Sequence, residues 1–253
     1  MTKIFCFSAT GNNLTCAKIL ANNLGAEITA IKPEKTSYDQ KMLGLVFPVY
    51  FWGLPRPVID FVRQLEVTNP EVYIFAVAVG GGPSFGVLDQ LRQLLAAKHL
   101  KLAYGRRLVL LSNYIPYHQP ADYQTKRAQF IKASLKIAAA ISQNKKNKVW
   151  PFTRFNRHIY QTYPADDCDE YFTVSDLCDG CGICQKVCPV RNISLVTGKP
   201  EFKHGCSHCL ACLHNCPQAA LDWNNLTAGK PRYRNPDITL KELLDLNADH
   251  LPQ

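Results

Sequence analysis

Eight cysteines fall into two copies of one spacing. Cys178, Cys181, Cys184 and Cys188 follow C-x2-C-x2-C-x3-C and are closed by Pro189; Cys206, Cys209, Cys212 and Cys216 repeat the pattern and are closed by Pro217. Thiolates are soft ligands, and three of them two residues apart on a tight loop can hold three corners of one iron–sulfur cube. The fourth, further on and followed by proline, is held away from that cube and reaches another. The spacing therefore predicts crossed ligation. Cys178, Cys181, Cys184 and Cys216 would hold one [4Fe-4S] cluster, and Cys206, Cys209, Cys212 and Cys188 its partner. Zinc is the plainer reading, but zinc sites usually show two C-x2-C pairs around a finger-length loop, with no C-P tail. Disulfides would need an oxidising compartment.

Each motif follows a short apolar or aromatic segment (Tyr171–Val174, Pro200–Phe202) and precedes another (Ile193–Val196, Ala219–Trp223). Two copies of a strand–loop–helix–strand unit would produce that. Over roughly Tyr171–Trp223 the chain resembles the bacterial two-[4Fe-4S] ferredoxins, and the resemblance implies a small α+β domain that transfers single electrons at low potential.

The elements that must carry this chemistry have ample chain. The 253 residues suffice for one large or two modest domains, and 47% hydrophobic against 19% charged residues indicates a globular protein. Three cysteines lie outside the motifs: Cys6 and Cys16 in strand-like and helix-like runs, and Cys168, to which no role is given. Only four apolar residues stand between Lys3 and Ser8, too short for a signal peptide, and no run approaches a membrane span. A soluble, cytoplasmic protein is expected. The formal charge of +9 is concentrated in the middle: 113–167 holds nine basic and three acidic side chains, whereas 168–253 holds eight and ten. Bound clusters would offset part of the sum, so no nucleic-acid partner is expected.

Lys3–Phe7 is an apolar, β-prone run, and Leu14–Leu24 has helical spacing. Between them Ser8, Ala9, Thr10, Gly11, Asn12 and Asn13 place hydroxyls, amides and a glycine at a strand-to-helix turn, which suits a phosphate. A polar helix cap without ligand is the plainer alternative. Neither the Walker pattern nor G-x-G-x-x-G is present here or at Gly80-Gly-Gly82. The loop resembles the FMN phosphate loop of flavodoxins, [ST]-x-T-G-N-[TSN]. Two further strands, Glu27–Ile31 and Leu43–Phe47, follow, and the second runs into Pro48, Val49, Tyr50, Phe51, Trp52 and Gly53. Those aromatics could stack on an isoalloxazine or fill an interface. The strand Val72–Val79 ends in Gly80, Gly81 and Gly82, which would let backbone approach a ring closely; Arg107–Leu111 is a fifth strand. Helices are expected over Pro57–Leu65, Val87–Leu95 and Asp122–Gln143. Five strands alternating with helices predict a doubly wound parallel sheet. Flavodoxins match this over about 1–143, and the resemblance implies FMN. The connection Ser112–Ala121, with Tyr114, Tyr117 and His118, is longer than that pattern and is expected to be a lid or a contact.

The expected organisation is a flavodoxin-like domain (1–143), an aromatic and basic linker (144–170) and a two-[4Fe-4S] ferredoxin-like domain with a tail (171–253). The tail, including Lys230–Pro236 and a helix at Leu240–Leu246, signals no chemistry. This order resembles the EFR-type flavodoxin–ferredoxin fusion proteins of anaerobic prokaryotes. The resemblance implies an electron carrier that passes electrons between FMN and two clusters and on to a redox protein partner of unknown identity; a homodimer is compatible with it. Two other readings are an FMN-dependent reductase of a small molecule such as a quinone, and a ferredoxin whose N-terminal half is a flavin-free docking module. No convergent acid, base or nucleophile appears, which favours a carrier over a substrate-specific oxidoreductase.

Overall fold

A computed structural model describes residues 2–32, 34, 36–82, 85–120, 122–163 and 168–248. The chain divides into two compact units: Met1–Phe7 with Asn13–Leu110 and Tyr123–Tyr163, and Ser8–Asn12 with Leu111–Asp122 and Pro164–Gln253.

In the first unit, the five apolar runs form β1 (Thr2–Cys6), β2 (Ala26–Ala30), β4 (Met42–Pro48), β6 (Tyr73–Gly80) and β7 (Leu102–Val109). They make one parallel sheet in the order β2-β1-β4-β6-β7. That is the doubly wound order 2-1-3-4-5 of the flavodoxin-like fold. The central strands are buried on both faces, which is why they read as unbroken apolar runs. β7 begins five residues before the expected Arg107. It is an edge strand, where charged side chains are tolerated, and the Arg106 guanidinium lies over the Tyr104 ring at 5.7 Å. A parallel pair, β3 (Thr36–Tyr38) with β5 (Leu65–Val67), was not expected. The helices of this unit are α1 (Asn12–Leu24), α2 (Arg56–Gln64), α3 (Val87–Ala96), α4 (Gln124–Ser142) and α5 (Arg154–Tyr160). Cys6 and Cys16 are fully buried, and burial pushes the Cys16 thiol up to about 12, so both act as packing groups.

α5 lies within the stretch expected to be an irregular linker. Thr153 Oγ1 accepts from the Asn156 N–H, and Asn156 Oδ1 accepts from the Thr153 N–H at 2.9 Å. This is a capping box with asparagine in the place usually taken by Glu or Gln. Asn156 also donates to Phe85 O at 2.6 Å, which ties α5 into the first unit.

The second unit holds the duplicated pattern. β8 (Phe172–Val174), α6 (Ile183–Val187) and β9 (Ile193–Val196) form one copy; β10 (Lys199–Phe202), α7 (Ala211–Asn215) and β11 (Leu221–Trp223) form the other. The pairing is reciprocal: β8 with β11 and β9 with β10, both antiparallel. Phe172, Ile193, Leu213, Leu221 and Trp223 pack around the cysteines, and α8 (Leu240–Ala248) closes the tail. Among the described residues no helix is long and apolar enough to cross a membrane.

In the sheet, a Cβ on Gly44 would stand 2.2 Å from the buried ring of Phe75. Gly44→Ala should therefore lower stability by about 1–3 kcal/mol through overpacking, read as a lower urea midpoint.

Candidate functional site

Reciprocal strand pairing decides which cysteines meet. β8 leads into the first cysteine loop and pairs with β11, the strand that follows Cys216; β9 follows Cys188 and pairs with β10, which leads into the second loop. The fourth cysteine of each motif is thereby delivered to the opposite loop. On the first side, Ser175 N donates to Ala220 O at 2.9 Å, and Gln218 Nε2 donates to Asp179 Oδ2 at 3.0 Å. The bond from Gln218, then that from the Cys181 N–H, holds the Asp179 carboxyl below its usual range. Cys178, Cys181, Cys184 and Cys216 line one cavity of about 350 Å³, counting its opening to solvent. On the other side Cys188, Cys206, Cys209 and Cys212 are mutual electrostatic neighbours.

The two closing turns are alike. Arg191 N donates to Cys188 O and Ala219 N to Cys216 O, both at 3.2 Å, across Pro189-Val190 and Pro217-Gln218. Proline at the second turn position pre-sets φ for that geometry. Four residues past each such cysteine, a backbone N–H points at its sulfur: Asn192 N to Cys188 Sγ at 3.2 Å, Ala220 N to Cys216 Sγ at 3.4 Å. His208 N does the same for Cys206 Sγ at 3.3 Å. In the loops themselves, Gly180 and His208 occupy matching positions with left-handed φ of 72° and 52°. Gly182 and Leu210 match likewise, at 74° and 58°. The first loop uses glycine; the second holds two side chains in that region by burying both.

Burial pushes the Cys184 thiol up to about 11, with Cys181, Cys216 and Cys178 adding to the effect. Cys188, Cys206, Cys209 and Cys212 are raised too. Thiols so placed ionise only with a strong cation among them, which multinuclear iron supplies. Four thiols around a cavity, N–H groups aimed at sulfur and an apolar shell fit a cube better than a zinc ion.

Several neighbours carried no sequence signal. Burial pushes His208 and His214 down to about 4, so both are neutral. His214 Nδ1 accepts from Tyr233 N at 3.2 Å and its Nε2–H donates to Asn113 O at 2.8 Å, which fixes the tautomer. His208 Nε2 meets Tyr114 Oη at 2.8 Å and packs on Trp223. The Ser112–Ala121 connection, apart from Ala121, which lies outside the described residues, thus braces the cysteine unit. Cys168 is buried, with its Sγ 3.9 Å from Cys206 O.

Of the loop expected to take a phosphate, Ser8–Asn12 lies in the second unit and Asn13 in the first. The hydroxyls and amides suit a phosphate chemically; protein already engages Thr10 and Asn12, whereas Asn13 Oδ1 is buried without a hydrogen-bond partner. Asn113 Nδ2 donates to Thr10 Oγ1 at 2.6 Å. Asn235 N donates to Thr10 O at 2.8 Å, and its Nδ2 to Asn12 Oδ1 at 2.9 Å. Tyr233 Oη donates to the same Asn12 oxygen at 2.7 Å. Gly11, at φ 96°, is covered so closely that a Cβ there would stand 2.9 Å from Ile238 Cβ. In this arrangement Thr10 and Asn12 are held by the chain's own Asn113, Tyr233 and Asn235.

The other expected flavin segments are in the first unit. Phe51 and Trp52 sit at φ 46° and 66° in a tight turn closed by reciprocal Tyr50–Gly53 backbone bonds. Tyr163 stacks on Phe51 at 5.5 Å, Phe155 meets Trp52 edge-on at 5.3 Å, and the Tyr160 ring covers Gly53. Pro48 ends β4, Val49 N donates to Val79 O at 3.2 Å, Gly80 ends β6, and Gly81 and Gly82 are exposed.

Residues 171–194 match the 4Fe-4S binding domain. No curated protein matches the chain. Among solved structures, a flavodoxin of Streptococcus pneumonia TIGR4 is 18% identical over 55% of this chain and 98% of its own, with a TM-score of 0.38. A putative flavoprotein from Bacteroides uniformis is 16% identical over 44% and 92%, TM-score 0.37. Rubredoxin oxygen:oxidoreductase from Desulfovibrio gigas is 13% identical over 56% and 36%, TM-score 0.38.

Gly11→Ala would force a side chain into left-handed backbone against Ile238. It should cost about 1–2 kcal/mol, and an unchanged urea midpoint would contradict the close packing of the tail on this loop.

Proposed function

We propose that the chain carries single electrons on two [4Fe-4S] clusters and exchanges them with a redox protein partner. One cluster is held by Cys178, Cys181, Cys184 and Cys216, the other by Cys188, Cys206, Cys209 and Cys212. The carrying observation is the reciprocal strand pairing, which brings the fourth cysteine of each motif to the other loop. Each cluster, when bound, takes or gives one electron at a time. The chain's own part is to present eight thiolates, exclude water with Phe172, Leu213 and Trp223, and soften the sulfur charge through the N–H groups of Asn192, His208 and Ala220.

A fuller form of this reading adds FMN on Ser8–Asn13, Pro48–Gly53 and Gly80–Gly82, which would join paired and single electron transfer. It requires Tyr233 and Asn235 to release Asn12 and Thr10. The flavin-free form is favoured by the bonds those residues make.

Anaerobic purification followed by metal, sulfide and flavin analysis tests both. About eight irons and eight sulfides per chain are expected; zinc, or iron near zero, contradicts the cluster reading. Flavin near zero supports the flavin-free form, and one FMN per chain the fuller one. Cys216→Ser should perturb the same paramagnetic signal as Cys178→Ser, while Cys188→Ser perturbs the other.

A further inference from the structure

Arg232 lies in the tail between β11 and α8, and the sequence assigns that stretch no chemistry. Its Nη2 donates to Leu221 O at 2.7 Å and to Ala219 O at 3.3 Å. Its Nε and Nη1 are buried and have no hydrogen-bond partner. A guanidinium cannot shed its charge, so unspent buried N–H groups are costly unless something anionic answers them. Burial pulls its pKa down, and Cys216, Asp222 and Cys212 pull it back up. Two of those three neighbours are cysteines, one from each four-sulfur group.

We propose that Arg232 is a positioning residue for both clusters, supplying a fixed positive charge within electrostatic reach of Cys216 of one and Cys212 of the other, with three N–H donors on Nε and Nη1 unspent. The proposal rests on the two-cluster reading. Reduction adds one electron from the redox partner to a cluster, with no proton moved and no covalent bond changed, so its cost depends on nearby charge. A cation close by favours the reduced form. Arg232 also bonds the carbonyls on either side of Ala220, whose N–H donates to Cys216 Sγ at 3.4 Å. Charge and hydrogen bonding therefore act in the same direction.

The test is a potentiometric titration of the anaerobically purified protein, followed by electron paramagnetic resonance, on wild type, Arg232→Gln and Arg232→Lys. Arg232→Gln keeps a donor for the carbonyls but removes the charge. It should disfavour reduction of both clusters at least tenfold, a fall of about 59 mV for a one-electron couple, with iron content unchanged. Arg232→Lys should stay within about threefold of wild type, because it keeps a cation on a flexible stem. Unchanged potentials in Arg232→Gln, or equal shifts in both variants, overturn the proposal in favour of a backbone anchor. If Arg232→Gln loses iron, Arg232→Lys decides: iron retained with wild-type potentials supports the proposal, and iron lost in both overturns it. Wild-type protein without iron would sink the cluster reading itself, a separate result.

Discussion

The cysteine unit depends on one constraint: two four-residue turns, Cys188–Arg191 and Cys216–Ala219, each lead into a strand that pairs with the opposite copy. A motif folded by itself would gather three thiols and throw the fourth outward. Antiparallel pairing of β8 with β11 and β9 with β10 turns that outward throw into a cross-link between copies. The strand after each C-P cysteine is thereby paired with the strand leading into the other motif. The ladders are only three and four residues long, so side-chain packing must contribute much of the stability.

The chemistry of the unit is governed by burial. Burial raises the thiols of Cys184, Cys188, Cys209 and Cys212, holds His208 and His214 neutral and pulls the Arg232 guanidinium down. Backbone N–H groups are fixed dipoles whose orientation is already established by the turns, so they need not reorganise when charge arrives. An iron–sulfur centre in such surroundings is expected to be tuned by few groups, each with a large effect.

What could be read from the chain depended on how local the cause was. The cysteine spacing and the five strands follow from short-range patterns: ligand periodicity in one case, runs buried on both faces in the other. α5 is only seven residues long and is capped by Thr153 with Asn156 where Glu or Gln is usual, so the local pattern for a helix start is weak. The first half of β7, Leu102–Gly105, has too short an apolar run to read as a strand, because Gly105 and Arg106 interrupt it. The engagement of Asn12 by Tyr233 and Asn235 joins residues 221 and 223 positions apart, and no local pattern announces it. The same Ser8–Asn13 residues that suit a phosphate equally suit an irregular segment of the protein's own tail, because amides and hydroxyls serve both. Arg232 stands between Lys230 and Arg234 in the tail and is told apart from them only once the fold buries its Nε and Nη1 near the cysteines.

The central claim is crossed ligation, and anomalous scattering at the iron edge from crystals of the anaerobically purified protein addresses it most directly. The account predicts two four-iron centres, each bonded to three cysteines of one motif and the C-P cysteine of the other. A single-ion peak, or a centre holding all four cysteines of one motif, would contradict it.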